Sequence, residues 1–173
     1  MTLTLAVWLV ILGALATANL PFLLERPLAP WPWGRAFQSL NGSLRWIAGL
    51  GFVGFLALWS WGTVQLAGGA FIGVGSALFV VKLLISIALA ALLLYLPGVL
   101  AGKDAPSGKP FIDRLLEAMV GYLMIGTLGF TMELDMGNAF PQGWEFYAVT
   151  LALFVVLGYP GFVWRYMMQR RRR

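Results

Sequence analysis

The chain closes with Phe140-Pro141-Gln142-Gly143-Trp144-Glu145-Phe146-Tyr147, then an apolar run, then four consecutive arginines, Arg170 to Arg173. As an α-helix the run over residues 146–167 would be ~33 Å long, which is enough to cross a bilayer. Aromatic side chains bracket the run, as they do at the two surfaces of a membrane; they are Trp144, Tyr147, Trp164 and Tyr166. The segment therefore predicts a membrane crossing with an acidic start and a strongly basic end.

The rest of the composition agrees with this prediction. Hydrophobic residues make up 60% of the chain and charged residues 11%, whereas soluble proteins carry about 25% charged residues. The charges cluster between long apolar runs, which is typical of transmembrane helices. We therefore predict an all-α, polytopic integral membrane protein that forms a single domain over residues 1–173. Five helices are expected, at about 3–24, 46–66, 70–96, 112–132 and 146–167.

The chain contains no cysteine and no histidine. Disulfides, thiol chemistry and the usual ligands of zinc, haem and iron–sulfur clusters are therefore excluded. Nucleophilic sites that need a histidine base are excluded too. We expect no catalytic residue, no cofactor and no metal. The net charge of +5 lies at the ends of apolar runs, so it indicates a membrane surface rather than nucleic acid as the partner.

The distribution of Lys and Arg predicts the orientation of the chain. With five crossings, residues 25–45, residues 101–114 and the C-terminus lie on the same side. They hold every basic residue except Lys82. By the positive-inside rule the C-terminus is cytoplasmic and the N-terminus lies outside. Arg165, Arg170, Arg171, Arg172 and Arg173 are expected to contact anionic lipid headgroups.

Three polar residues within or beside the apolar runs are candidates for function or for helix contact. Lys82 is the one basic residue at membrane depth; it either snorkels to the surface, pairs with Glu133 or Asp135, or serves a proton or ion pathway. Asn19 lies beside Pro21, where it either binds freed backbone groups or has a binding role. Glu117 shares one face of the fourth helix with Asp113 and is expected at the membrane interface.

Two further patterns favour structure over chemistry. Gly49-Leu50-Gly51-Phe52-Val53-Gly54 matches the dinucleotide-binding spacing, but no strand precedes it and no acidic residue follows at the required distance. Such glycines are more typical of close contact between transmembrane helices. Glu133 and Asp135 are too few for a dedicated calcium or magnesium site and are assigned to an outer surface.

Several blocks of sequence resemble an uncharacterised family of small bacterial inner-membrane proteins. The N-terminal pieces are Val7-Trp8-Leu9-Val10 and Ala18-Asn19-Leu20-Pro21-Phe22-Leu23 with Glu25-Arg26. The C-terminal pieces run from Phe140 to Thr150 and from Pro160 to Phe162, with Arg165-Tyr166. Genes of this family often lie beside those of respiratory complex I, the NADH:quinone oxidoreductase. The resemblance implies an accessory subunit or assembly factor that contacts complex I membrane subunits. Residues 35–109 have no counterpart in the resemblance and add two crossings.

Three functions are compared. The leading one is a non-catalytic inner-membrane accessory subunit or assembly factor. The alternative is a small transporter or ion-conducting protein that uses Lys82, with Asn19 and Gln65 along the pathway and kinks at Pro21 and Pro160. A membrane enzyme that uses Glu133 and Asp135 ranks last.

Overall fold

The computed structural model describes residues 3–67, 76–101, 108–138 and 140–168. These residues form helices and connecting turns, with no strand among them. The helices are α1 (Leu3–Leu23), α2 (Gly42–Ala67), α3 (Ser76–Leu100), α4 (Phe111–Asp135), α5 (Trp144–Leu157) and α6 (Tyr159–Val163). A 3₁₀ turn lies at Arg35–Phe37, and a π-helical turn, Trp164–Met168, follows α6.

Five helical stretches are long and apolar enough to cross a membrane, as the sequence predicts. They are α1, α2, α3, α4 and the stretch Trp144–Met168 that combines α5, α6 and the π turn. Their axes place two loop regions at opposite ends. We call the end formed by residues 24–45, 108–114 and 164–168 the basic end. The end formed by residues 133–138 and 140–145 is called the acidic end.

Two predicted boundaries are wrong. The third helix was expected to stop at Pro97-Gly98, yet α3 continues to Leu100, and the Ala101 N–H bonds to the Pro97 carbonyl at 2.9 Å. Next to this proline, a Cβ on Gly98 would meet the Pro27 carbonyl oxygen at 3.3 Å, so the end of α3 lies close to the segment after α1. Residues 70–75 of that prediction lie outside the described residues.

The fourth helix was expected to end at about residue 132, whereas α4 continues to Asp135 and includes Glu133 in its last turn. The helix ends just after them at Gly137, whose φ of +81° is the left-handed conformation that terminates helices. The Asn138 N–H then bonds back to the Glu133 carbonyl at 2.9 Å. The acidic residues therefore sit on a rigid helix end.

Helix α4 is the centre of the bundle. Its glycines allow α1 to approach closely: a Cβ on Gly121 would meet the Thr17 carbonyl at 3.3 Å, and one on Gly13 of α1 would collide with Ile125. On its other side, Val120 and Met124 pack against Phe52 of α2 in a buried apolar cluster. Helix α3 joins α2 through a partly buried hydrogen bond, from Trp59 Nε1 to the Ser86 carbonyl at 3.0 Å.

Candidate functional site: a buried charged cluster at the basic end

Arg114 is the charged residue that ties the start of α4 to the end of α1. Its side chain is 1% exposed. Its Nη1 donates to the Pro21 carbonyl at 2.6 Å and to the Phe22 carbonyl at 3.2 Å. The last carbonyls of a helix have no partner within the helix, so Arg114 serves as the C-terminal cap of α1 from another helix.

Glu25 joins Arg114 to the chain that follows α6. The Arg114 Nη2 donates to Glu25 Oε2 at 3.2 Å, and Arg165 pairs with Glu25 Oε1. Arg165 was predicted to contact lipid headgroups, whereas the structure also pairs it with this carboxylate. Arg170, Arg171, Arg172 and Arg173 lie outside the described residues.

A second ion pair lies deeper in the cluster. Lys109 Nζ and Glu117 Oε2 are 2.5 Å apart, and their side chains are 6% and 1% exposed. Glu117 Oε1 also accepts the Leu28 N–H at 2.7 Å. Burial lowers the pKa of the Lys109 ammonium below its ordinary value, while the Glu117 carboxylate opposes that shift.

Glu117 was predicted to be interfacial, and the structure buries its side chain within the chain. The segment after α1 folds back over the start of α4 and covers the carboxylate with its own backbone. Sequence reasoning missed this arrangement, because Lys109 precedes Glu117 by eight positions, outside the helix, and Leu28 is 89 residues away. No local spacing connects these groups.

Asp113 adds a second buried carboxylate to the basic end. It is 6% exposed, and a Cβ on Gly34 would lie 3.6 Å from its Oδ2. Its Oδ1 and the nearby Trp31 Nε1 have no hydrogen-bond partner among the described residues. Trp31 stacks on Trp33 with ring centroids 5.8 Å apart, so a tryptophan pair lies over this end of the bundle.

Asn19 lies apart from the cluster, between α1 and the α5–α6 junction. Its Nδ2 donates to the Leu15 carbonyl at 2.7 Å and to the Leu157 carbonyl at 2.8 Å. Its Oδ1 accepts the Gly161 N–H at 2.6 Å. The amide therefore holds two helices together, and all its described partners are backbone groups of this chain.

Lys82 lies far from the cluster, in the half of α3 nearer the acidic end. It is half-buried. Among the described residues neither Glu133 nor Asp135 pairs with it, so the predicted ion pair is not formed there. Ser86, one helical turn further on, is hydrogen-bonded to Thr63 of α2 at 2.6 Å. The structure thus brings Asn19, Glu117 and Lys82 to three separate places.

The hydrogen bonds and ion pairs of the cluster hold separate segments of the chain together. Its hydrogen bonds and ion pairs join side chains or backbone groups of this chain. Within the described residues no group of three or more His, Cys, Asp or Glu comes close enough to hold a metal ion. The ion pairs join the end of α1, the loop after it, the start of α4 and the chain after α6.

A comparison with protein families identifies residues 77–169 as a match to the family described as "Protein of unknown function (DUF2818)". The match covers more than half of the chain, and the protein belongs to this family. No curated protein and no solved structure matches the chain.

The extent of the match corrects the sequence interpretation in part. The C-terminal pieces from Phe140 to Tyr166 lie inside it, as the resemblance indicates. Residues 77–109 also lie inside it, although they were expected to have no counterpart in the family. The N-terminal pieces lie outside the matched residues. Transmembrane helices of unrelated proteins have similar apolar compositions. Short blocks of matching sequence therefore do not define where the family's conserved region begins and ends.

Proposed function

We propose that this protein is a non-catalytic, multi-pass protein of a bacterial inner membrane that acts by binding another membrane protein. We further propose the respiratory NADH:quinone oxidoreductase as that partner, with this chain as an accessory subunit or assembly factor. Five apolar helices support the membrane placement. The choice of partner rests on the resemblance of the end segments to proteins encoded beside complex I.

The observation that carries the binding role is the outward face of α2, defined by Ile47, Gly51, Gly54, Phe55, Leu58 and Gly62. A Cβ on Gly51, Gly54 or Gly62 would meet no atom of the described chain within 4 Å. Phe55 and Leu58 are 64% and 63% exposed. Glycine on an outward face gives its own bundle no packing, but it lets the backbone of a partner helix approach closely.

The opposite face of α2 packs against other helices of the same chain. Phe52 and Leu56 are buried against α4, and Thr63 bonds to Ser86 of α3. The outward face is therefore separate from the surface that holds the bundle together. A partner helix could occupy it without displacing an internal contact.

The charged residues of the basic end support a structural role. Arg114, Glu117 and Lys109 are buried and bonded within the chain. Under the positive-inside rule this end faces the cytoplasm, which places the C-terminus inside and the N-terminus outside.

The test is a pull-down from native membranes in mild detergent, with an affinity tag after Arg173 and identification by mass spectrometry. We expect stoichiometric recovery of membrane subunits of the oxidoreductase. Gly54→Leu should abolish that recovery, because its side chain blocks helix approach. Gly126→Leu is the matched control, since Gly126 is an equally open glycine on α4. Recovery of the chain without a partner would contradict the proposal.

A second candidate function rests on Lys82. A half-buried lysine one turn from the Thr63–Ser86 pair provides a short row of polar groups between α2 and α3. Such a row favours a proton or ion pathway. The Lys82 substitution in the Discussion separates this function from the leading one.

A further inference from the structure

An apolar groove of about 550 Å³ opens on the surface of α4 toward the acidic end. Helix α4 forms its floor, and α1, α2 and α5 form its walls. Its lining is almost wholly apolar, and its volume is in the range of ordinary ligand sites. The groove is separate from the outward face of α2 and from the charged cluster.

Two glycines of α4 leave the floor of the groove without side chains at their positions. A Cβ on Gly126 would meet nothing within 4 Å, and one on Gly129 would only touch Val10 at 3.4 Å. Side chains along the walls are widely exposed, among them Val7 at 46% and Leu153 at 58%. The groove is therefore accessible from the side, where a lipid tail lies in a membrane.

Tyr122 closes the groove toward the basic end. Its hydroxyl is 2.9 Å from Thr150 Oγ1, and its ring packs edge-on against Phe154 with centroids 5.6 Å apart. Between Tyr122 and Glu133 the helix rises by ~17 Å, about the thickness of one leaflet in a hydrocarbon core of ~30 Å. The groove thus has the length of a single leaflet.

The mouth of the groove is polar and negatively charged. Glu133 and Gln142 line it, and Glu133 Oε2 lies 3.5 Å from Gln142 Nε2. The other charged residues of the acidic end, Asp135 and Glu145, are also acidic, and the one described basic residue in this half of the bundle, Lys82, lies within α3 and does not line the groove. An anionic headgroup would be repelled here, whereas an ammonium group would be attracted.

From this geometry we propose that the groove binds one membrane lipid, with an acyl tail along α4 and the ammonium of a phosphatidylethanolamine headgroup at Glu133. The tail lies over Gly126 and ends at Tyr122. The inference rests on the membrane insertion of the helices, which is part of the proposed function. It does not depend on the identity of the protein partner.

The test uses the full chain in vesicles that contain phosphatidylethanolamine with a photoactivatable group in the acyl chain. We expect cross-links in peptides that contain residues 122–133 and 146–157. Gly126→Leu should abolish them, because its side chain fills the floor of the groove. Gly54→Leu, which affects the outward face of α2, should leave them unchanged.

The headgroup is tested with Glu133→Gln. The same tail on phosphatidylglycerol should cross-link poorly to the native chain, and Glu133→Gln should remove the preference for phosphatidylethanolamine. Glu145→Gln, an exposed carboxylate at the same end, is the matched control. Undiminished cross-linking in Gly126→Leu, or equal yield from both lipids in the native chain, would overturn the proposal. Loss of the partner with intact lipid cross-linking would count against the proposed function alone.

Discussion

Asn19 Oδ1 accepts the Gly161 N–H at 2.6 Å, while Asn19 Nδ2 donates to the Leu157 carbonyl at 2.8 Å. In an uninterrupted helix, Leu157 and Gly161 would bond to each other, because they are four residues apart. The side-chain amide of Asn19, on α1, bonds to both groups in place of that bond. The break between α5 and α6 therefore has two causes, the missing N–H of Pro160 and an inserted side chain from α1.

Asn19→Ala should destabilise the protein by ~1–3 kcal/mol, because it leaves the Leu157 carbonyl and the Gly161 N–H without partners in an apolar site. The measurement is reversible unfolding in detergent, followed by circular dichroism. Asn41→Ala is the control, since Asn41 is exposed. Equal stability of the two variants would show that the bridge between the helices contributes little.

Arg114→Met should lower the free energy of unfolding by more than Asn19→Ala does, by about 3–5 kcal/mol, because a buried network loses its central cation. Arg114→Lys should restore only part of the loss, since a single ammonium cannot reproduce the fork that reaches Pro21, Phe22 and Glu25 together. The same unfolding measurement applies. Arg26→Met, at an exposed position beside the cluster, should change stability little. A loss in Arg26→Met as large as in Arg114→Met would argue against the specific role of Arg114.

Lys109→Met and Glu117→Met should each destabilise strongly, because each leaves one buried charge unpaired. The double variant should be less destabilised than the sum of the two single variants, by an interaction energy on the order of 0.5–3 kcal/mol. A double-mutant cycle of unfolding free energies measures this difference. Simple additivity of the two effects would mean that the 2.5 Å pair does not couple the loop to α4.

Lys82→Met should leave both stability and recovery of the partner unchanged, because no described residue pairs with Lys82. Proton and ion flux in reconstituted vesicles gives the complementary measurement. Lys82→Arg retains the charge and serves as the control. Flux in the native chain that is lost in Lys82→Met and kept in Lys82→Arg would favour the transport function over the accessory one.

The orientation can be tested directly, because the chain contains no cysteine. Gln38→Cys at the basic end and Asn138→Cys at the acidic end are both at exposed positions. A membrane-impermeant thiol reagent applied to intact cells should label Asn138→Cys and leave Gln38→Cys unlabelled until the membrane is opened. The opposite pattern would reverse the orientation inferred from the basic residues.

The sequence by itself determined the number of long helices and their approximate places. A crossing of ~30 Å needs about 20 apolar residues, and this requirement is met locally in each run. The kink at Pro160 could also be predicted, since a proline removes its own backbone donor. The number of predicted crossings also places five basic residues at one end of the bundle. They are Arg26, Arg35, Arg45, Lys109 and Arg114.

Only the tertiary structure decided which polar residues are buried and what they bond to. Glu117 was expected at the interface, but residues that lie 89 positions earlier cover it. Arg114 holds carbonyls of a helix that ends about 90 residues before it, and Asn19 bridges to a helix more than 130 residues away. Hydropathy depends on each residue and its neighbours in sequence, whereas these bonds depend on which helices lie side by side. In this bundle, that arrangement is set by close glycine contacts such as Gly121 with Thr17.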